Sequence, residues 1–211
     1  MKDPISAMQW RYATKQYNAD KKVSQADIDT ILEATRLAPS SYGLQPYKMI
    51  VVTNPEIREK LKEAAYGQPQ LTDATTIVVF AVGTVIDEVR VDAYMKQVSD
   101  TRGVAIEDLA GFKGMVMGAI TPMSMEARSE WAARQAYLGL GVLLETAAMM
   151  EIDTTPMEGF APSKFDEILG LAEKGLKTVV IAAIGYRNEA DSYIAMKKVR
   201  PSKEEMIIEV K

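Results

Sequence analysis

Two short basic stretches, Arg11-Tyr12-Ala13-Thr14-Lys15 near one end and Lys197-Lys198-Val199-Arg200-Pro201 near the other, stand out in a chain whose formal net charge is −4. Brought together, such cations would hold a small anion, because an arginine fork offers paired donors that suit phosphate oxygens and a lysine adds a point charge. Between them lie two stretches rich in turn residues, Ala38-Pro39-Ser40-Ser41-Tyr42-Gly43-Leu44-Gln45-Pro46 and Thr155-Pro156-Met157-Glu158-Gly159-Phe160. Taken alone, Arg11 and Lys15 also fit a solvated face with i,i+4 repulsion.

The residues that are missing narrow the chemistry further. The 211 residues include no Cys and no His. That excludes disulfides, thiol nucleophiles, imidazole acid/base work and most zinc or non-haem iron sites. An enzyme built this way is left with carboxylate, Lys or Tyr chemistry, an oxygen-ligated magnesium, or an organic cofactor that carries the reaction. The last suits the anion patches, and no metal ligand or catalytic side chain is assigned. At 47% hydrophobic and 26% charged, the chain can bury a sizeable core in a single domain spanning residues 1–211. The negative balance argues against nucleic acid as partner. The longest apolar run, Ala136 to Met150, contains Glu145 and is too short to cross a bilayer, so no membrane partner is expected. No leader pattern opens the chain, and a cytoplasmic location is the expectation.

The elements that must position these residues alternate between α and β. Ser24 with Asp27 reads as an N-cap, and Ile28, Ile31, Leu32 and Leu37 recur at helical spacing until Pro39. Tyr47–Thr53 reads as a strand and Asn54-Pro55 as the start of a helix to about Ala65. The apolar runs Thr76–Val82 and Lys177–Gly185 read as strands covered on both faces. Residues 88–100 and 104–118 suggest helices, the second interrupted by glycines, and Ser124–Met150 suggests a long helix apolar on more than one side. Glu205–Val210 reads as a short terminal strand. Gly139-Leu140-Gly141 lies inside a helical pattern with Leu at 144, and Gly175 is followed by Leu176 rather than Lys. Neither is a nucleotide-binding loop.

The R-x-x-x-K of Arg11 and Lys15, the A-P-S-S-x-x-x-Q-P loop from Ala38, the P-x-E-G-F turn from Pro156 and the late K-x-R-P from Lys198, in that order, resemble the flavin-dependent nitroreductase family. The resemblance runs from about Met8 to Arg200 and includes Glu130-Trp131 and Gln135-Ala136-Tyr137 in the long helix. It implies an α+β fold with a mostly antiparallel central sheet wrapped by helices. It also implies an obligate homodimer with FMN at the subunit interface and the terminal strand exchanged between subunits. The activity implied is NAD(P)H oxidation with ping-pong reduction of nitroaromatics, quinones or similar flat acceptors, NADH or NADPH being the electron donor.

Carried over by residue, the resemblance makes Arg11, Lys198 and Arg200 the phosphate ligands, with Tyr12 and Ala13 beside them and Lys15 at the pyrimidine edge of the flavin. A fixed cation there would stabilise charge that develops on reduction. Pro39, Ser40 and Ser41 would lie along the ring from the other subunit, with Gln45 nearby, and Gln68 and Gln70 would present amides to the pyrimidine. Pro156, Met157, Glu158 and Gly159 would bring backbone N–H groups to flavin N5. Each has a plainer counterpart: Pro39 and the serines stop a helix, and Gln45 before Pro46 is extended chain. Tyr12 and Ala13 replace the His and Ser common in better-known relatives, removing one hydroxyl donor. The Met-rich part from Met115 to Met125, within a substrate-covering excursion over 102–125, fits either adaptable acceptor binding or core filling. Alternatives are enone reduction, dehalogenation or flavin fragmentation on the same fold, and flavin binding without turnover.

Overall fold

A computed structural model describes residues 2–211. Nine α-helices occur among the described residues: α1 Pro4–Trp10, α2 Gln25–Arg36, α3 Pro55–Ala64, α4 Gln70–Asp73, α5 Glu88–Arg102, α6 Ala110–Ile120, α7 Met125–Met149, α8 Pro162–Leu169 and α9 Lys203–Met206. Four strands, β1 Tyr47–Val52, β2 Thr76–Gly83, β3 Asp153–Met157 and β4 Leu176–Gly185, form one sheet of order β1-β2-β4-β3. All three pairings are antiparallel, in line with the expected α+β class.

Local chemistry explains the boundaries. Ser24 Oγ accepts the Asp27 amide at 3.1 Å, Asn54 Oδ1 accepts that of Ile57 at 3.0 Å, and Ser124 Oγ that of Ala127 at 3.1 Å. Each satisfies a donor that a helix start leaves free. α5 ends on Gly103 at φ +66°, a left-handed cap that costs glycine little.

The sheet separates two cores by strand alternation. On one face Val78, Phe80, Val82, Val180, Ala182 and Ile184 meet α2 through Ile28 and Ile31, and α7 through Trp131, Ala136, Leu140 and Leu143. On the other, Ile77, Val79, Ile181 and Ala183 meet Leu61 of α3 and Phe165 of α8. β2 is buried throughout, which accounts for its unbroken apolar run. α7 approaches the sheet closely because Gly139 lies against Tyr47; a Cβ there would sit 2.6 Å from the tyrosine hydroxyl. The opposite side of α7 leaves Tyr137 39% and Leu138 49% exposed.

Three readings of the sequence are corrected. Thr155–Met157 is the end of edge strand β3 rather than part of a turn, with Pro156 opposite Ala182; an edge tolerates a proline that lacks the ladder donor. The helix over 104–118 is a 3₁₀ turn, Ile106–Leu109, running into α6. The terminal strand over 205–210 is absent within the protomer. Ser202 and Glu205 form a reciprocal capping box that starts one helical turn, α9, and residues 207–211 pair with no strand. Among the described residues no helix is long and apolar enough to cross a membrane.

Candidate active site

The segment after α1 runs beside edge strand β3, with a parallel bridge between Ala13 and Thr154 and an antiparallel one between Tyr17 and Arg187. Side chains lock it in place: Thr155 Oγ1 donates to the Thr14 carbonyl at 2.6 Å, and the buried Tyr17 hydroxyl bonds the Ala183 carbonyl at 3.1 Å. Burial pushes the Tyr17 hydroxyl well above the ordinary tyrosine range.

Two carboxylates fix the same segment from opposite sides. Asp153, 2% exposed, accepts from Arg187 through Nε at 2.7 Å and through its amide at 2.9 Å. The Arg187 guanidinium stacks 4.1 Å from the Trp10 ring centroid and 4.7 Å from that of Tyr12. Asp191, also buried, accepts the Tyr12 hydroxyl at 3.0 Å and the amides of Lys15 at 2.8 Å, Gln16 at 3.1 Å and Tyr193 at 3.0 Å. Burial alone would raise its pKa, but those donors outweigh burial and leave the carboxyl below its usual range. Burial first, then the bond to Asp191, pushes the Tyr12 hydroxyl up. Asp191 therefore ties the chain on which Arg11 and Lys15 stand to the segment that leads to Lys198 and Arg200.

That junction encloses a cavity of about 500 Å³ lined by Trp10, Arg11, Tyr12, Ala13, Lys15, Pro156, Tyr193, Lys198 and Arg200, among others. Its cations lack counter-ions: among the described residues no carboxylate lies within 4.0 Å of Arg11, Lys15, Lys198 or Arg200. Arg11 Nε is buried without a hydrogen-bond partner. Burial, then the neighbouring Arg200, lowers the Arg11 pKa; burial, then Arg11 and Arg200, lowers that of Lys198. Lys198 Nζ donates to the Arg11 carbonyl. Crowded cations with an orphaned buried donor suit a doubly charged phosphate monoester.

A second cavity of about 500 Å³ adjoins it through Pro156, which lines both. Its walls are Leu140, Gly141, Leu144, Met157 and Val180, and its polar groups are Tyr137 and Glu158, joined by a bond from the Tyr137 hydroxyl to the Glu158 carboxylate. Burial, that bond and the adjacent charge push the Tyr137 hydroxyl up to about 12. Gln68 Nε2 donates to the Gly159 carbonyl at 2.6 Å, tying the loop before α4 to the turn after β3.

Of the residues singled out in the sequence, Arg11, Tyr12, Ala13, Lys15, Pro156, Lys198 and Arg200 share the first cavity, and Pro156, Met157 and Glu158 the second. Gln68 bonds Gly159, next in the chain to Glu158, and Gln70 is buried in α4 with Oε1 unpartnered. Pro39, Ser40, Ser41 and Gln45 line neither cavity of this protomer. There the Ser41 amide donates to Gln135 Oε1 at 2.8 Å, and Gln45 Nε2 donates to the Arg36 and Ala38 carbonyls at 2.8 and 3.1 Å, closing the end of α2. Asp153, Asp191 and Arg187 were not anticipated. The only local signal for Asp191 is its position before Ser192, where it caps the 3₁₀ turn Ser192–Ala195.

Fold and site together define an α+β protein with a cation-lined cavity at a sheet edge and an apolar cavity beside it. The model of the nitroreductase family matches residues 8–186, and the chain belongs to that family. A Staphylococcus haemolyticus protein provisionally named an NAD(P)H nitroreductase is 34% identical over 96% of this chain and 95% of its own length. Among solved structures, the Bacillus subtilis nitroreductase-like protein YdfN superposes with a TM-score of 0.86 at 18% identity, covering 98% of each chain. A nitroreductase-like protein of Exiguobacterium sibiricum, solved in complex with FMN, gives 0.83 at 18% identity, covering 100% of this chain and 98% of its own. Lys198 and Arg200 lie beyond the segment matched by the family model, so their place in the cradle rests on the structure.

Proposed function

We propose that this chain is an FMN-dependent NAD(P)H oxidoreductase that reduces nitroaromatics, quinones or similar flat acceptors by a ping-pong mechanism, as a homodimer in the cytoplasm. The observation that carries the reading is the group of three cations without carboxylate partners, Arg11, Lys198 and Arg200, opening onto an apolar cavity. When bound, FMN supplies the redox chemistry, taking a hydride from NAD(P)H and giving it to the acceptor.

The chain's own residues bind and orient. Arg11, Lys198 and Arg200 would hold the phosphate, with the Arg11 Nε–H as a donor already turned inward. Tyr12 is committed to Asp191 and Ala13 has no donor, so neither side chain replaces the missing hydroxyl. Lys15, whose Nζ lies 5.5 Å from the Tyr193 ring centroid, supplies a fixed positive charge at the same wall. The turn at Glu158 and Gly159, anchored by Gln68, offers backbone donors at the junction with the second cavity. No side chain here is required to act as a general acid.

The dimer is supported by apolar surface that the single chain leaves uncovered. Val199 is 84%, Ile208 86% and Val210 95% exposed on the C-terminal arm, and Leu138 is exposed on α7. Surface of this kind belongs to an interface that resembles a core cut in half. A second protomer would also bring the loop of Pro39, Ser40, Ser41 and Gln45 to the flavin.

The test is the visible spectrum of protein supplemented with FMN, desalted and titrated anaerobically with NADH or NADPH. Retained flavin bands that bleach with either nucleotide and return with a quinone are expected. Retained bands that never bleach would point to a carrier, and no retained flavin would overturn the site. Lys15→Ala should slow bleaching more than it weakens FMN binding.

A further inference from the structure

Of the residues that line the second cavity, Glu158 alone carries a charge. Its carboxylate, though exposed, accepts the Tyr137 hydroxyl from α7, which orients the negative charge at the cavity wall. The remaining walls, chiefly Leu140, Leu144, Met157 and Val180, are apolar. Gly141 adds a second peculiarity. A glycine inside a helix costs about 1 kcal/mol relative to alanine, and Gly139 has a packing reason in Tyr47. At Gly141 an added Cβ would meet nothing within 4 Å. The gap left by its missing side chain opens onto the cavity.

We propose that this cavity receives the electron acceptor, that the Tyr137-pinned Glu158 carboxylate selects neutral and cationic acceptors against anionic ones, and that Gly141 sets the size admitted. The inference rests on the oxidoreductase reading above and deepens it by naming a substrate class. Glu158 is exposed in the single chain, so its charge is partly screened, and a like charge on the acceptor is disfavoured and an opposite one favoured by a salt-dependent margin. The cations Arg11, Lys15, Lys197, Lys198 and Arg200 line the other cavity rather than this one, and the cofactor phosphate would neutralise Arg11, Lys198 and Arg200.

The experiment compares matched aromatic probes on the FMN-loaded protein. Equilibrium constants are measured calorimetrically for benzoate and benzyltrimethylammonium, which the flavin does not reduce. Values of kcat/KM are measured for 4-nitrobenzoate, 4-nitrobenzyl alcohol and (4-nitrobenzyl)trimethylammonium. The cation should be preferred over the anion by on the order of tenfold in both readouts. Glu158→Gln should collapse that ratio towards one, Tyr137→Phe should reduce it by about half as much on a logarithmic scale, and added salt should shrink it in the unaltered protein. Gly141→Leu should raise KM more for a bicyclic quinone than for a monocyclic one. Protein that binds FMN and bleaches with NAD(P)H but shows no charge preference, or keeps the preference in Glu158→Gln, overturns this inference alone. Failure to bind FMN overturns it together with the oxidoreductase reading. If Gly141→Leu dissociates the dimer while leaving every acceptor constant unchanged, a second copy fills the cavity and the inference is wrong.

Discussion

Arg11, next to Tyr12 in the chain, and Arg187, stacked on the Tyr12 ring, lie in the same corner of the molecule and have opposite circumstances. Arg187 has a buried carboxylate, Asp153, 2.7 Å from Nε and is sandwiched between Trp10 and Tyr12. Arg11 is partly buried with Nε unpartnered, and its electrostatic neighbours include the cations Arg200 and Lys198. Burying a cation is costly unless it is paired. The cost is offset within the chain for Arg187, whereas among the described residues no carboxylate pairs with Arg11, as the proposed phosphate site requires. Basic sequence alone does not distinguish the two cases.

Substitutions should separate the two arginines, and the largest effect belongs to the structural pair. Asp153→Ala leaves the partly buried Arg187 unpaired, which costs up to about 3–5 kcal/mol. Urea unfolding of the FMN-free protein should show a loss of that order, with a fall in Tm near 10 °C for a domain of this size. Arg11→Ala should leave that stability within about 1 kcal/mol, because it removes a desolvated, repelled charge. It should weaken FMN binding by roughly 10- to 100-fold, equivalent to about 1.5–3 kcal/mol for a charge-assisted contact. If Arg11→Ala unfolded the protein and Asp153→Ala only weakened FMN, the assignment would be reversed.

A smaller effect follows from Lys198. Its pKa is depressed in the folded protein, by burial first and then by Arg11 and Arg200. The unfolded chain therefore binds more protons between the folded value and the ordinary lysine value, and stability rises with pH through that window. The contribution of Lys198, read as the difference in stability between the FMN-free protein and Lys198→Met, should grow as pH rises towards about 10.5, against a background that falls near pH 10 because the hydroxyls of Tyr12, Tyr17 and Tyr137 are raised in the folded protein. Saturating phosphate, which favours the charged lysine, should flatten that difference.

The elements that could be read from the chain were those whose reason for existing is local. α2, α3 and α7 start at Ser24, Asn54 and Ser124, residues whose side chains cap the helices they precede. β2 and β4 carry apolar runs because helices cover both faces of the sheet. β3 escaped notice because Asp-Thr-Thr-Pro-Met carries a proline and polar residues, tolerated because it is the edge strand and its Asp153 and Thr155 serve the neighbouring segment. Residues 205–210 show the converse: their alternation suggests a strand, yet the protomer offers it no partner. The cations of the cradle were evident from their types. The carboxylate that assembles them was not, since Asp191 lies 179 residues from Tyr12 and its four donors meet only after folding. Asn188-Glu189-Ala190-Asp191 reads as an ordinary polar loop.

The most direct test of the central claim is a calorimetric titration of FMN into the FMN-free protein at low and high salt, with and without inorganic phosphate. The account predicts one FMN per chain, an affinity that falls as salt rises, and competition by phosphate that disappears in Arg11→Ala. Binding that ignores both salt and phosphate, or no binding at all, would contradict the assignment of Arg11, Lys198 and Arg200 as the cofactor's anchor.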